Sequence, residues 1–299
     1  MTLTLRQLRY FDALAAEGHF GRAAERVSVS QPALSVQIRD LETALGVALV
    51  ERSAGGARLT AVGEGVAARA RRILSEVGDL ESFARRETGV LAGPLRLGVI
   101  PSIAPYLLPK LLPRLALAFP RLQLSVRETV TATLADELAA GDLDVIVASV
   151  PLGHAAFEEV AVFEDPFLLA VPRDGPFSDA GVAEASQIAP EALLLLEDGH
   201  CLRDQTLAVC GTIDARRLRA SGVTSLSTIL QLVAAGQGIT LLPRIFLDSV
   251  SIDETAIRLL RFAAPEPSRQ VGVAWRRTNP RARDFAEIVG VIARCSSAG

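Results

Sequence analysis

The sequence predicts an α/β protein with a winged helix-turn-helix at its N-terminus, a long linker helix, and a two-lobed α/β domain behind it. Three observations carry that prediction. A capped second helix completes a helix-turn-helix within the first 45 residues, a four-three apolar seam runs over 62–84, and strand–helix alternation begins at Leu95. The 299 residues are enough for about two domains, and 49% hydrophobic with 22% charged residues supplies packed cores and argues against disorder.

In the head, Leu5, Leu8, Phe11 and Leu14 recur every three residues and form one apolar stripe. Gly18-His19-Phe20-Gly21 interrupts it, and Ala23, Ala24 and Val27 mark a second helix. Ser30 is a good N-cap for a third, and Pro32 fits its first turn, where a missing N–H costs nothing. Leu34, Ile38, Leu41 and Leu45 share the buried face; Pro32, Ser35, Val36, Arg39 and Thr43 face the other way. Gly55-Gly56, between Leu49-Val50 and Arg58-Leu59-Thr60, reads as the hairpin of a wing.

Val62, Val66, Ala70, Ile73, Val77, Leu80 and Ala84 then alternate four and three, which makes either a dimerising linker helix or a core helix. Gly89 and Gly93-Pro94 end it. Strands are expected at Leu95–Ile100, Leu122–Val126 and Val145–Ser149, with helices at Pro105–Phe119 and Leu134–Ala140, in the order of a parallel sheet. A second set is expected at Phe167–Val171, Leu193–Leu196, Arg217–Ala220 and Ile239–Leu242, with a helix at Leu226–Ala235. The strand Val271–Trp275 and the helix near Arg283–Arg294 return to the first lobe, leaving a cleft between the two.

Charge divides along the same line. Residues 1–72 balance at +3 and the remaining 227 at −6, a mildly basic head on an acidic body, as in a nucleic-acid module joined to something else. No apolar run approaches the roughly 18 residues of a membrane span, and no signal peptide opens the chain, so a soluble cytoplasmic protein is expected. Three cysteines and three scattered histidines provide neither a disulfide scaffold nor a metal site, and no cofactor is expected.

Ligands of open α/β sheets gather at the carboxyl ends of strands, and three such ends here are polar: Pro101-Ser102, Thr129–Thr131 and Glu197–Cys201. Ser102 is either a helix cap or a ligand contact. Cys201, at a helix start beside His200 and Arg203, is either a reactive thiol or a small buried hydrophobe. Cys210 lies nine residues further on. If 202–209 is helical, the two are about 13.5 Å apart, whereas a disulfide needs Cα atoms within roughly 7 Å. Either the bond never forms or forming it refolds the segment, which would be a covalent two-state switch.

Leu5-Arg6-Gln7-Leu8-Arg9-Tyr10-Phe11, Phe20, Ala23-Ala24 and Ser30-Gln31-Pro32-Ala33-Leu34-Ser35 together resemble the LysR-type transcriptional regulators; Glu42, Leu45-Gly46, Leu49, Arg52, Leu59-Thr60 and Gly63 continue the match. Leu196–Gln205, Cys210, Ile100-Pro101-Ser102, Pro105–Pro109 and Ala234–Pro243 are similar to the peroxide-sensing members of that family. The resemblance covers nearly the whole chain. It implies a DNA-binding domain over 1–60, a linker and dimerisation helix over 61–90, and a periplasmic-binding-protein-like regulatory domain over 91–299. The lobes of that domain would be about 94–164 plus 269–299, and 165–268.

By the same resemblance Cys201 is the thiol that peroxide oxidises to a sulfenic acid, and Cys210 the thiol that closes the disulfide. Ser102 and Thr131 are the hydroxyls that position hydrogen peroxide, with His200, Asp204 and Arg276 around them; Ser102 stands where the family more often has threonine. Cys295 is a tail thiol without a role. Pro32, Ser35 and Arg39, flanked by Gln31 and Gln37, are the candidates for base-edge contact, while Gln37 and Arg22 serve equally as phosphate contacts or solvated side chains. Promoter DNA, hydrogen peroxide, RNA polymerase, a thioredoxin- or glutaredoxin-type reductant and further copies of the chain, as dimer or tetramer, are the implied partners. Two readings compete: a regulator of the same family that binds a small molecule in its cleft, and a thiol peroxidase, an enzyme that would have no use for residues 1–60.

Overall fold

The computed structural model describes residues 3–53, 56–84, 90–175, 177, 181–188, 192–211 and 222–296. Two compact units divide the chain: Met1–Glu87 with Ala139–Asp142, and Thr88–Leu138 with Leu143–Gly299.

The first unit comprises α1 (Leu5–Glu17), α2 (Phe20–Arg26), α3 (Gln31–Leu45), β1 (Val50–Ser53), β2 (Gly56–Leu59) and α4 (Ala61–Ala84). Thr4 and Gln7 form a capping box at α1, and Ser30 Oγ accepts from Ala33 N at 3.4 Å at α3, with Pro32 in its first turn. Leu8, Phe11, Leu14, Ala23, Ala24, Leu34, Ile38, Leu41 and Leu49 form one core. Each large side chain fully removed from water there contributes about 1.5–3 kcal/mol. Leu5 and Leu45, expected on the buried stripes, are 42% and 39% exposed. They are the first residue of α1 and the last of α3, beyond the reach of the neighbouring helices. The wing is the antiparallel pair β1–β2, in register from Val50–Leu59 to Ser53–Gly56; Gly55 lies outside the described residues.

The chain enters α4 tightly, because a Cβ on Gly63 would stand 2.1 Å from the Leu49 carbonyl oxygen. Ala67 and Ala70 pack into the head core, so the first half of α4 is a core helix. Val62, Ile73 and Leu80 of the expected seam are 52%, 45% and 66% exposed, and at about 100° per residue they fall along one line of the helix. The core-helix reading holds for one face, and the other carries this exposed apolar line.

The second unit is built on a seven-stranded sheet in the order β4-β3-β5-β9-β6-β7, with β8 also on β6. Its elements are β3 (Gly93–Val99), α5 (Ala104–Ala118), β4 (Leu122–Glu128), α6 (Thr131–Ala140), β5 (Val145–Val150), β6 (Phe157–Pro172), α7 (Cys201–Val209), α8 (Leu226–Ala234), β7 (Thr240–Pro243), α9 (Arg244–Leu247), β8 (Ile257–Leu260), β9 (Ser268–Arg276) and α10 (Ala282–Ser296). Strands β4-β3-β5 pair in parallel, as the order of the first three strands predicts, and β9 returns antiparallel to β5 and to β6. The sixteen residues of β6 run along β9 and then along β7 and β8. Only its apolar end, 167–171, was legible as a strand, because 157–166 does not alternate cleanly between buried and exposed.

Leu193–Leu196 is not a full strand. It makes isolated bridges to Ile239 and Val223, too short for a ladder. Arg217–Ala220 and Gly89 lie outside the described residues. Cys295 is 2% exposed inside α10 rather than a loose tail thiol. Leu169, Leu193, Leu195, Leu202, Ile229, Leu241 and Phe246 belong to the core that carries α7. Among the described residues no helix is long and apolar enough to cross a membrane.

Candidate functional site

Gly199 leads the chain into α7 at φ +92°, a conformation that favours glycine. His200 is the N-cap and Cys201 the first residue of the helix. Cys201 shares a small pocket with Ile100, Pro101, Ser102, Val130, Thr131 and His200. Thr131 is likewise the first residue of α6, and Ser102 lies two residues before α5. Three helix N-termini therefore converge on this pocket, each carrying a partial positive charge.

The two hydroxyls differ in their surroundings. Ser102, 4% exposed, accepts a 2.8 Å hydrogen bond at Oγ from Arg269 Nη1, and its carbonyl accepts one from Nη2 at 3.1 Å. That leaves the Ser102 O–H to donate. Arg269 is held in turn by Asp165, 2.9 Å away, in an ion pair whose side chains are each 1% exposed. Asp165 Oδ1 accepts from Ile245 N at 2.9 Å. Burial raises the Asp165 carboxyl above its ordinary range, against the opposing pull of Arg269. Thr131 Oγ1 is buried without a hydrogen-bond partner among the described residues, a polar atom that calls for one. As it stands the pocket has no space for a water-sized guest. Beside it opens a cleft of about 400 Å³ that shares Pro101, Ser102, Val130 and His200.

Two residues expected around this pocket do not line it. Asp204 is exposed, one turn further along α7. Arg276 is buried, but its Nη1 donates to the carbonyls of Leu138 and Leu143 at 2.8 and 3.0 Å, bracing the link between α6 and β5. The arginine that reaches Ser102 is Arg269. Sequence reasoning missed it together with Asp165 and Ser149, whose Oγ is 3.9 Å from Cys201 Sγ. The available signal was a charged residue at the apolar edge of a strand. Nothing in the sequence linked Arg269 to Asp165, 104 positions away. Arg203, expected to act on the thiol, instead pairs with Asp198 at 2.8 Å and donates to the Leu196 carbonyl.

Cys210 caps the far end of α7, and both cysteines are free. Burial pushes the Cys210 thiol up to about 11, so it stays protonated and a poor nucleophile while α7 is folded. Nine residues of helical rise separate the pair by about 13.5 Å, beyond disulfide reach.

In the head, Gln31, Pro32 and Arg39 are exposed on α3, with Ser35 and Gln37 half-buried beside them. Gln37 donates to Asp40 at 3.4 Å. Arg22 is engaged by Glu17, with Nη2 2.6 Å from its carbonyl oxygen and Nε 3.5 Å from its carboxylate.

A capped helix-turn-helix with a wing, followed by a two-lobed α/β domain, defines a LysR-type regulator, and the comparisons agree. Residues 5–64 match the bacterial regulatory helix-turn-helix protein, lysR family, and residues 88–291 match the LysR substrate binding domain. The chain belongs to the LysR family: it is a DNA-binding transcription regulator and not an enzyme. Within that family it is similar to the DNA-binding transcriptional dual regulator OxyR of Escherichia coli strain K12, at 38% identity over 97% of this chain and 95% of that one. A probable hydrogen peroxide-inducible genes activator of Streptomyces viridosporus is 40% identical over 97% of this chain and 93% of its own length. Full-length OxyR from Pseudomonas aeruginosa, with a cysteine-to-aspartate substitution, superposes at a TM-score of 0.82, with 38% identity and full coverage of both chains. A hydrogen peroxide-bound cysteine-to-serine mutant of Corynebacterium glutamicum OxyR reaches 0.65, at 33% identity over 99% of this chain and 94% of that one.

Proposed function

We propose that this chain is a hydrogen peroxide-responsive transcription regulator in which Cys201 is the reacting thiol and Cys210 the resolving one. One observation carries the reading: Cys201 opens a helix and lines one pocket together with Ser102, whose hydroxyl is oriented by Arg269, and Thr131, whose hydroxyl is unpartnered among the described residues. The Cys201 thiolate attacks one peroxide oxygen, the O–O bond breaks, and the hydroxide that leaves takes a proton through the hydroxyls to become water. The sulfenic acid then condenses with the Cys210 thiol, forming the S–S bond and releasing a second water.

Closing that bond requires α7 to unwind. Leu202, 2% exposed, then leaves its core at a cost of about 1.5–3 kcal/mol. The short loop that the disulfide closes costs about 2–3 kcal/mol more in chain entropy, and the redox couple, at about 1.4 kcal/mol for each 30 mV, supplies the drive against both. The unwinding remodels the lobe that carries α7, and through the 61–90 linker alters how the 1–60 domain reads promoter DNA. A dimer formed along Val62, Ile73 and Leu80, assembling further to a tetramer, engages RNA polymerase. A thioredoxin- or glutaredoxin-type reductant resets it. His200 shapes the pocket beside the thiol, and Arg269, rather than Arg276, is the arginine that orients Ser102.

The deciding experiment is mass spectrometry of the protein alkylated before and after a stoichiometric pulse of hydrogen peroxide. A peptide linking Cys201 to Cys210, formed within the mixing time of a manual pulse, is the expected result. Two cysteines that stay alkylatable would overturn the assignment. The cleft of about 400 Å³ would then favour a regulator of the same family that answers to a small ligand, since a site of that size holds one.

On the DNA side, Pro32, Ser35 and Arg39 face bases, with Gln31 and Gln37 flanking and Arg22 at a phosphate. Arg39→Ala is expected to weaken operator binding by about 1–3 kcal/mol, the worth of a bidentate guanine contact. Its cysteine oxidation should proceed at the parent rate. Equal operator affinity of the two proteins in a titration at fixed salt would refute the role.

A further inference from the structure

We propose that Ser149 is a positioning residue for Cys201, its hydroxyl holding the sulfur in the orientation from which it meets peroxide. The inference rests on the reading above that Cys201 is the peroxide-reactive thiol.

Ser149 is the one hydroxyl-bearing residue in β5, a strand that otherwise reads Val, Ile, Val, Ala and Val. It is 8% exposed, and its backbone is fixed by pairing with Val271 of β9. A hydroxyl buried in an apolar strand is costly unless it finds a partner. Among the described residues that partner is Cys201 Sγ, at 3.9 Å, a long-range contact across 52 positions of sequence.

The direction of approach matters as much as the distance. Ser102, Thr131 and His200 line the pocket that Cys201 opens into; Ser149 does not. It meets the sulfur from the β5 side, so it can hold the sulfur without occupying the space peroxide needs. A serine hydroxyl both accepts and donates. It accepts from the S–H of the neutral thiol and donates to the thiolate, which keeps the sulfur placed through ionisation. In the reaction the thiolate forms the new S–O bond, the O–O bond breaks, and hydroxide leaves and is protonated to water. Ser149 is unchanged throughout. When Cys201 moves to Cys210 the contact is lost, so it belongs to the reduced form alone.

The test uses the full chain carrying Cys210→Ser, in which the sulfenic acid cannot be resolved and is trapped with dimedone. Ser149→Ala is expected to slow sulfenic acid formation about tenfold, since a hydrogen bond to a charged group is worth at least that factor. Ser149→Thr, which returns the hydroxyl on a residue suited to a strand, should recover most of the rate. Both variants should unfold at the parent midpoint, because Ser149→Ala removes only one oxygen from a packed strand. An Ala variant as fast as the parent overturns the proposal, and so does a folded Thr variant as slow as Ala. A parent Cys201 that does not react with peroxide at all is a different outcome, and it removes the underlying assignment of the thiol.

Discussion

Cys201→Ser will abolish the response to peroxide. A serine hydroxyl in the same place, at the start of α7 and in the pocket that Ser102 and Thr131 also line, is not ionised near neutral pH, and its oxygen has no counterpart of the sulfenic acid. The expected result is no dimedone adduct at this position, no linkage to Cys210, and a peroxide-inducible reporter that stays at its unstimulated level. Cys210→Ser should still form the adduct at Cys201 while failing to close the disulfide. The pair of variants thus separates the two steps. An oxidation-linked transcriptional response that survives Cys201→Ser would end the sensor reading, whatever happened at Cys210.

The second large effect is expected from Arg269. Its guanidinium neutralises Asp165 in a site where each side chain is 1% exposed, and it also orients Ser102 through two hydrogen bonds. Arg269→Met leaves a buried carboxylate without its partner, which costs about 3–5 kcal/mol and lowers the melting temperature on the order of 10 °C. Adding Asp165→Asn removes the stranded charge and should restore most of that stability, because a buried pair replaced as a whole is often nearly neutral. Ser102 remains unanchored in the double variant, so sulfenic acid formation at Cys201 should stay slow after the fold has recovered. Recovery of stability and reactivity together would show that Arg269 serves the fold alone.

The head was legible almost to the residue. Ser30 and Pro32 announced the start of α3, the spacing of Leu34, Ile38 and Leu41 set its buried face, and a glycine pair between short apolar runs marked the wing. These are local signals, satisfied within one or two turns of chain. Leu5 and Leu45 failed because periodicity says which way a side chain points and not whether a neighbour reaches that far. In the second unit the parallel strands and the returning β9 were visible, whereas the antiparallel pairing of β9 with β6 was not, since an amphipathic pattern is silent on partner direction.

At the candidate site the two cysteines, Ser102, Thr131 and His200 could be named from motif and strand-end position, and the structure gathers all of them except Cys210 around one pocket or its rim. Asp204 and Arg276 could not be placed by the same means. One turn of α7 carries Asp204 out to solvent, and Arg276 is spent on the carbonyls of Leu138 and Leu143. Conversely Asp165, Arg269 and Ser149 gave no local sign of their partners. Each acts through a partner at least 50 positions away: Asp165 through Arg269, and Ser149 through Cys201.

By itself the sequence determined the order of domains, the recognition helix with its exposed face, and the nine-residue spacing that sets a folded α7 against a Cys201–Cys210 bond. Those features rest on caps, periodicity and helical rise, which are properties of neighbouring residues. Only the tertiary structure decided which arginine orients Ser102, which hydroxyl touches the thiol, and that Cys210 is half-buried with its thiol raised to about 11. Those outcomes depend on desolvation and on contacts between strands far apart in the chain, and both come into being only when the lobes close around them.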